Sequence, residues 1–130
     1  MQHTLFITGS PYQTKACHSA LRFARAALEQ RADSINGVFF YQDAVLIGNT
    51  LAQPPRDEIN LHQEWLELAQ QFQLPLYICI AAAVRRGVIN ESEANRYQLE
   101  QFSLADGFQL EGLGSLVELM NTSEKVIQFR

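Results

Sequence analysis

The 130-residue chain is 47% apolar and 18% charged, the balance of a folded globular protein rather than a disordered one. Fourteen acidic against ten basic residues leave a net charge of −4, which argues against gripping nucleic acid through a general basic surface. No apolar run approaches the ~18–20 residues that a membrane-spanning helix needs, and the opening Met1 to Gly9 is too short an apolar run for a signal peptide, so the expected address is the cytoplasm.

Leu5 to Thr8 is a short apolar run ending in Gly9-Ser10-Pro11, the pattern of a strand followed by a turn. From Thr14 to Gln30 the spacing changes: Ala16, Ala20, Phe23, Ala24, Ala27 and Leu28 recur every three or four residues and define one apolar helix face. Thr14 or a neighbouring turn residue is the expected cap. Ile35 to Tyr41 is nearly continuous apolar sequence, expected of a strand covered on both faces in a parallel sheet. The stretch Gln42 to Asn60 holds Gly48-Asn49 and Pro54-Pro55 and is read as a long loop. Ile59 to Phe72 is a second amphipathic helix, with Leu61, Trp65, Leu68, Ala69 and Phe72 as its buried stripe.

Leu74 to Ile80 follows as a strand, and the small run Ala81-Ala82-Ala83 turns it into a short helical segment. Ser92 to Gln101 reads as a polar helix capped near Asn90, and Phe108 to Leu110 as a short strand. Gly112 and Gly114 open a helix over Ser115 to Met120, and Lys125 to Phe129 closes the chain as a strand. This alternation predicts one α/β domain over residues 1–130: a three-layer fold whose mainly parallel sheet of about five strands is flanked by helices.

Two cysteines, Cys17 and Cys79, are too few for a disulfide scaffold and are expected to be free thiols. Cys79 falls at the carboxyl end of the Leu74–Ile80 strand, the edge where open α/β sheets collect ligands and chemistry. A thiol close to a helix start and to cations ionises more readily, and the thiolate is the reactive form. An inert reading stands beside this one, because free cysteine is also a common small core residue. Arg85 and Arg86 likewise have two readings: solvated cations suiting the end of a short helix, or groups that steady an anionic sulfur on Cys79. The turn Thr8 to Thr14 lacks a phosphate-loop pattern, and Pro11 and Tyr12 are expected to border the cleft near Cys79. Cys17 is expected to pack in the first helix. His3, His18 and His62 are scattered and no CxxC or CxxH pair exists, so no metal is expected. Glu91, Glu93, Glu111, Glu118 and Glu124 read as solvated charges. A cysteine hydrolase would need a histidine brought to Cys79 by the fold.

Taken together, Thr8 to Tyr12, Val38 to Tyr41, the block Tyr77 to Val88 with Cys79 and Arg85-Arg86-Gly87, Gly107 to Gly114, and the ending Val126 to Phe129 resemble the TusD/DsrE family of sulfur-relay proteins, and most the TusD branch. The resemblance covers essentially the whole chain and implies a DsrE-like fold and a sulfurtransferase subunit. It implies that Cys79 accepts a sulfane sulfur as a persulfide, with Arg85, Arg86 and Tyr12 as supporting residues and with no organic cofactor or metal. It further implies TusB-like and TusC-like companions in a heterohexamer, a TusA-like sulfur donor, a TusE-like acceptor, and 2-thiouridine at the tRNA wobble position as the end point, without direct contact with nucleic acid or membrane. The family pattern gives Cys17 no role. Two alternatives remain within the family: a DsrE-like subunit of dissimilatory sulfur oxidation, and a non-catalytic structural subunit.

Overall fold

Five short strands and five α-helices account for most of the backbone in the computed structural model, which describes residues 1–130. The elements run β1 (Gln2–Ile7), α1 (Ala16–Glu29), β2 (Ser34–Phe40), a 3-10 helix (Gln42–Gly48), α2 (Leu61–Phe72), β3 (Leu76–Cys79), α3 (Ile80–Arg85), α4 (Glu91–Arg96), β4 (Phe108–Glu111), α5 (Leu113–Thr122) and β5 (Lys125–Phe129). The strands form one sheet in the order β4-β3-β2-β1-β5, with every neighbouring pair parallel. The expected α/β architecture is therefore present, and the sheet is wholly rather than mainly parallel.

Strand alternation sends successive side chains to opposite faces and so decides what each helix layer covers. Phe40 on β2 meets the Trp65 ring of α2 edge-on at 5.4 Å, and Val38, Leu76 and Ile78 lie fully buried on that same face by register. Trp65 is itself fully buried, and its indole N–H donates to the Cys17 carbonyl of α1 at 3.2 Å, locking the two helices together over the core. On the other face α5 lies close over Gly37, where an added Cβ would come within 2.9 Å of the Leu119 side chain. Polar bonds fix that approach: the Asn36 amide and the Thr4 hydroxyl both donate to the Leu119 carbonyl, at 2.8 and 3.1 Å.

Three local expectations are corrected. Residues 42–48 form a 3-10 helix rather than loop, because Ala44, Val45 and Ile47 are drawn fully into the core and tertiary burial outweighs the turn signals downstream. The helix after Asn90 ends at Arg96 instead of reaching residue 101. Gln98 takes a left-handed backbone (φ 59°), and the amides of Gln98 and Leu99 close on the Asn95 and Ala94 carbonyls. That is a Schellman stop made without the usual glycine. Helix α1 begins at Ala16, with Thr14 still accepting from the Ala16 amide at 3.2 Å.

Candidate functional site

The junction between β3 and α3 is built from four successive local choices. α2 stops at Gln73, which takes a left-handed backbone, and Pro75 starts the chain afresh because it cannot extend a helix. Leu76 to Cys79 then pair as the strand between β2 and β4. Ala81 to Ala83, the strongest helix-forming residues, wind the chain into α3 directly behind Cys79. Gly87 ends that turn with φ 74°, its amide bonding the Val84 carbonyl at 3.2 Å while the Val88 amide bonds Ala83 at 2.9 Å. Cys79 is thereby the N-cap residue of α3, and its side chain makes no cap hydrogen bond.

Cys79 is 3% exposed, so the thiol expected to face an incoming partner is covered in the isolated chain. The neighbouring 3-10 helix packs on both β3 and α3, with Gly48 pressed so closely against Ile78 that a Cβ would lie 2.6 Å from Ile78 Cδ1. Two side groups flank the cysteine by register. Glu111 is its partner across the β3–β4 pair, its carboxylate accepting from the Ser115 hydroxyl at 2.9 Å. Tyr41, one residue beyond the Phe40–Ile78 pair, stacks on Phe6 at 6.1 Å.

The two arginines have separate surroundings. Arg86 Nε donates to Asp43 Oδ1 at 2.9 Å and its Nη1 donates to the Ala82 carbonyl at 3.0 Å, so its guanidinium ties α3 to the 3-10 helix. Arg85 is exposed and forms no ion pair; it lines a cleft between α3 and α4. Tyr12 lines clefts made with Thr14, His18, Glu58 and Leu61, beyond the end of β1, and Cys79 is not among their lining residues. Partial burial pushes its phenol above the ordinary range.

Cys17 is fully buried, its thiol 3.6 Å from the Gly9 carbonyl, and burial pushes its pKa up to about 12. At neutral pH it stays a protonated packing group. The histidines are engaged elsewhere, His62 against the Ile47 carbonyl, His3 against Asp33 at 3.5 Å, and His18 along the Tyr12 cleft. The cysteine–histidine pairing that a hydrolase needs is thus missing from these contacts. No three His, Cys, Asp or Glu side chains converge as a metal-binding group. A cleft of about 660 Å³ lies between α2 and β4 beside Leu74 and Pro75, at the opposite end of β3 from Cys79.

Three residues around the site have roles that their sequence context had not suggested. Asp43 anchors Arg86, Glu111 is level with Cys79, and Glu93 is buried rather than solvated, with Oε2 lacking any partner. The spacing Asn90-x-x-Glu93 is the one local signal that marked Glu93, since it is the pattern of a capping box.

Comparison with known proteins agrees with this geometry. The model of the DsrE/DsrF-like family matches residues 1–129. A "Sulfurtransferase TusD homolog" of Vibrio vulnificus is 44% identical over 129 residues, covering 99% of this chain and 98% of the relative. A "Sulfurtransferase TusD" of Salmonella enteritidis is 42% identical over 129 residues, covering 99% of this chain and all (100%) of its own. Among solved structures, the ychN protein from E. coli superposes with a TM-score of 0.77 at 26% identity, covering 99% of this chain and 100% of that one.

Proposed function

The chain belongs to the DsrE/DsrF-like family, and from that premise we propose that it is the TusD-type sulfurtransferase subunit of a sulfur relay, carrying the sulfur on Cys79. The observation that carries the reading is the position of Cys79 within a full-length match: last residue of β3, first turn of α3, on the carboxyl edge of a parallel sheet. The transfer needs only the sulfur itself. The Cys79 thiol loses its proton, the thiolate attacks the outer sulfur of a partner's persulfide, that S–S bond breaks, and the partner leaves as a thiolate that takes up a proton. Cys79 then holds the persulfide, and the same exchange run toward an acceptor returns it to a thiol.

The donor in this reading is a TusA-like carrier and the acceptor a TusE-like protein, with TusB-like and TusC-like companions in a heterohexamer and tRNA 2-thiolation as the destination. The burial of Cys79 favours one competing reading, a structural subunit in which this cysteine only packs. Intact-protein mass spectrometry of the assembled complex after incubation with persulfidated TusA-like donor separates them. A one-sulfur adduct is expected on wild type and Cys17→Ser and not on Cys79→Ser. An adduct that survives in Cys79→Ser, or none on any of the three, refutes the assignment.

A further inference from the structure

A groove of about 470 Å³ separates α3 from α4, and it begins at Ile80, the residue bonded to Cys79. Its floor is apolar, made by Ile80, Ala81 and Val84 on one side of α3. Its rims are cationic: Arg85 forms no ion pair, and Arg96, 68% exposed, reaches only Glu93 at a loose 3.7 Å. Tyr97, 52% exposed, stands beside Arg96 as an aromatic wall. On a chain of net charge −4 this is a local reversal of sign beside the cysteine proposed to carry sulfur.

Glu93, 8% exposed, is one of the lining residues, and its Oε1 faces Arg96 at 3.7 Å. Two demands therefore coincide: an acidic group for the arginine rims and an apolar side chain for the floor. A polypeptide segment meets both, whereas inorganic polysulfide has no apolar side chain.

We propose that the α3–α4 groove is the docking site of the sulfur-exchanging partner protein, which lays an acidic and apolar segment against Arg85, Arg96 and Tyr97 and so brings its persulfide to Cys79. This rests on the relay reading of Cys79, and the test keeps the two apart. In the assembled complex carrying Cys79→Ser, where transfer is off, the affinity for the TusA-like carrier is measured by calorimetry. Arg96→Glu is expected to weaken it at least about tenfold, as removal and reversal of an interfacial charge does, and Arg96→Lys to keep most of it. Tyr97→Ala is expected to weaken it as well. With Cys79 restored, loading from the persulfidated carrier is compared with loading from sodium polysulfide, and Arg96→Glu is expected to lower the first relative to the second.

Unchanged affinity in both Arg96→Glu and Tyr97→Ala overturns the docking site. So does an equal loss of loading from both donors, or a complex that no longer assembles, which assigns the groove to a subunit contact. If wild type loads from neither donor, the relay reading falls, and the calorimetry still decides the groove. Both positions are exposed enough that the fold is expected to survive, which thermal unfolding checks.

Discussion

Cys17 and Cys79 are both buried, yet their surroundings set them apart. Cys17 lies inside α1, fully enclosed, with the Trp65 indole bonded to its carbonyl. Cys79 is at the start of a six-residue helix, at the carboxyl end of β3. Unwinding of that short helix exposes Cys79, whereas exposing Cys17 requires α1 and the core beneath it to open. N-ethylmaleimide at neutral pH is therefore expected to modify Cys79 at least about ten times faster than Cys17, with Cys17 labelled at the rate of global unfolding. Mass spectrometry of the time course reads both sites, and equal rates would sink the distinction. The place of Cys79 was legible because a strand-like run, a cysteine, three alanines and Arg-Arg-Gly follow one another along the chain. Its burial was not, because β3 is enclosed by elements distant in the chain, pairing with β2 and β4 and packing against the 3-10 helix. For Tyr12 the strand order adds what the sequence lacked, since β2 lies between the strand it follows and β3, and the cleft it lines is built with Thr14, His18 and Glu58.

The elements around the site hold by contacts that sequence periodicity does not encode. The 3-10 helix carries an apolar run, Ala44 to Ile47, but Gly48-Asn49 and the prolines beyond it masked that signal. α4 stops at Gln98, a residue with no special claim on a left-handed backbone, so its end was invisible in advance. Arg86 joins two of these pieces, and its truncation to Ala removes both the Asp43 pair and the bond to the Ala82 carbonyl. The expected loss of stability is about 1 kcal/mol, since one partner is largely exposed and the other bond is a single charged hydrogen bond. The more telling readout is faster labelling of Cys79 in Arg86→Ala, with a smaller rise in Asp43→Ala, which keeps the Ala82 bond. No change in labelling would show that the 3-10 helix is held by apolar packing alone. Gly87→Ala tests the other end of α3: with φ 74° and no atom within 4 Å of the added Cβ, the cost is purely backbone, about 1 kcal/mol in urea unfolding.

At the scale of the whole molecule, strand count and parallel pairing were legible because near-continuous apolar runs alternate with helical periods. The strand order was not, since nothing local tells β5 to cross back and lie beside β1. That return makes β1 an interior strand, and both of its edges depend on titratable contacts. At its amino end Asp33 binds the Met1 ammonium at 3.4 Å and His3 at 3.5 Å. Desolvation alone would raise the Asp33 pKa, but these hydrogen bonds and charges outweigh it and hold the carboxyl below its usual range. At the carboxyl end Cys17 sits under the Gly9 carbonyl, its thiol raised by burial to about 12. The signs are opposite. The depressed carboxyl contributes stability above its unfolded pKa and loses it as pH falls through the folded value. The raised thiol contributes fully below its ordinary value of 9.0 and loses its contribution as pH climbs towards about 12. Over that alkaline interval the unfolded chain alone ionises, so the slope attributable to Cys17 is up to about 1.4 kcal/mol per pH unit. Urea midpoints across pH should therefore form a plateau with two shoulders. Asp33→Asn is expected to flatten the acid shoulder only, and Cys17→Ala the alkaline one only, whatever constant offset each substitution adds. If either variant keeps the wild-type slope on its own side, that end of β1 is not held by the group assigned to it.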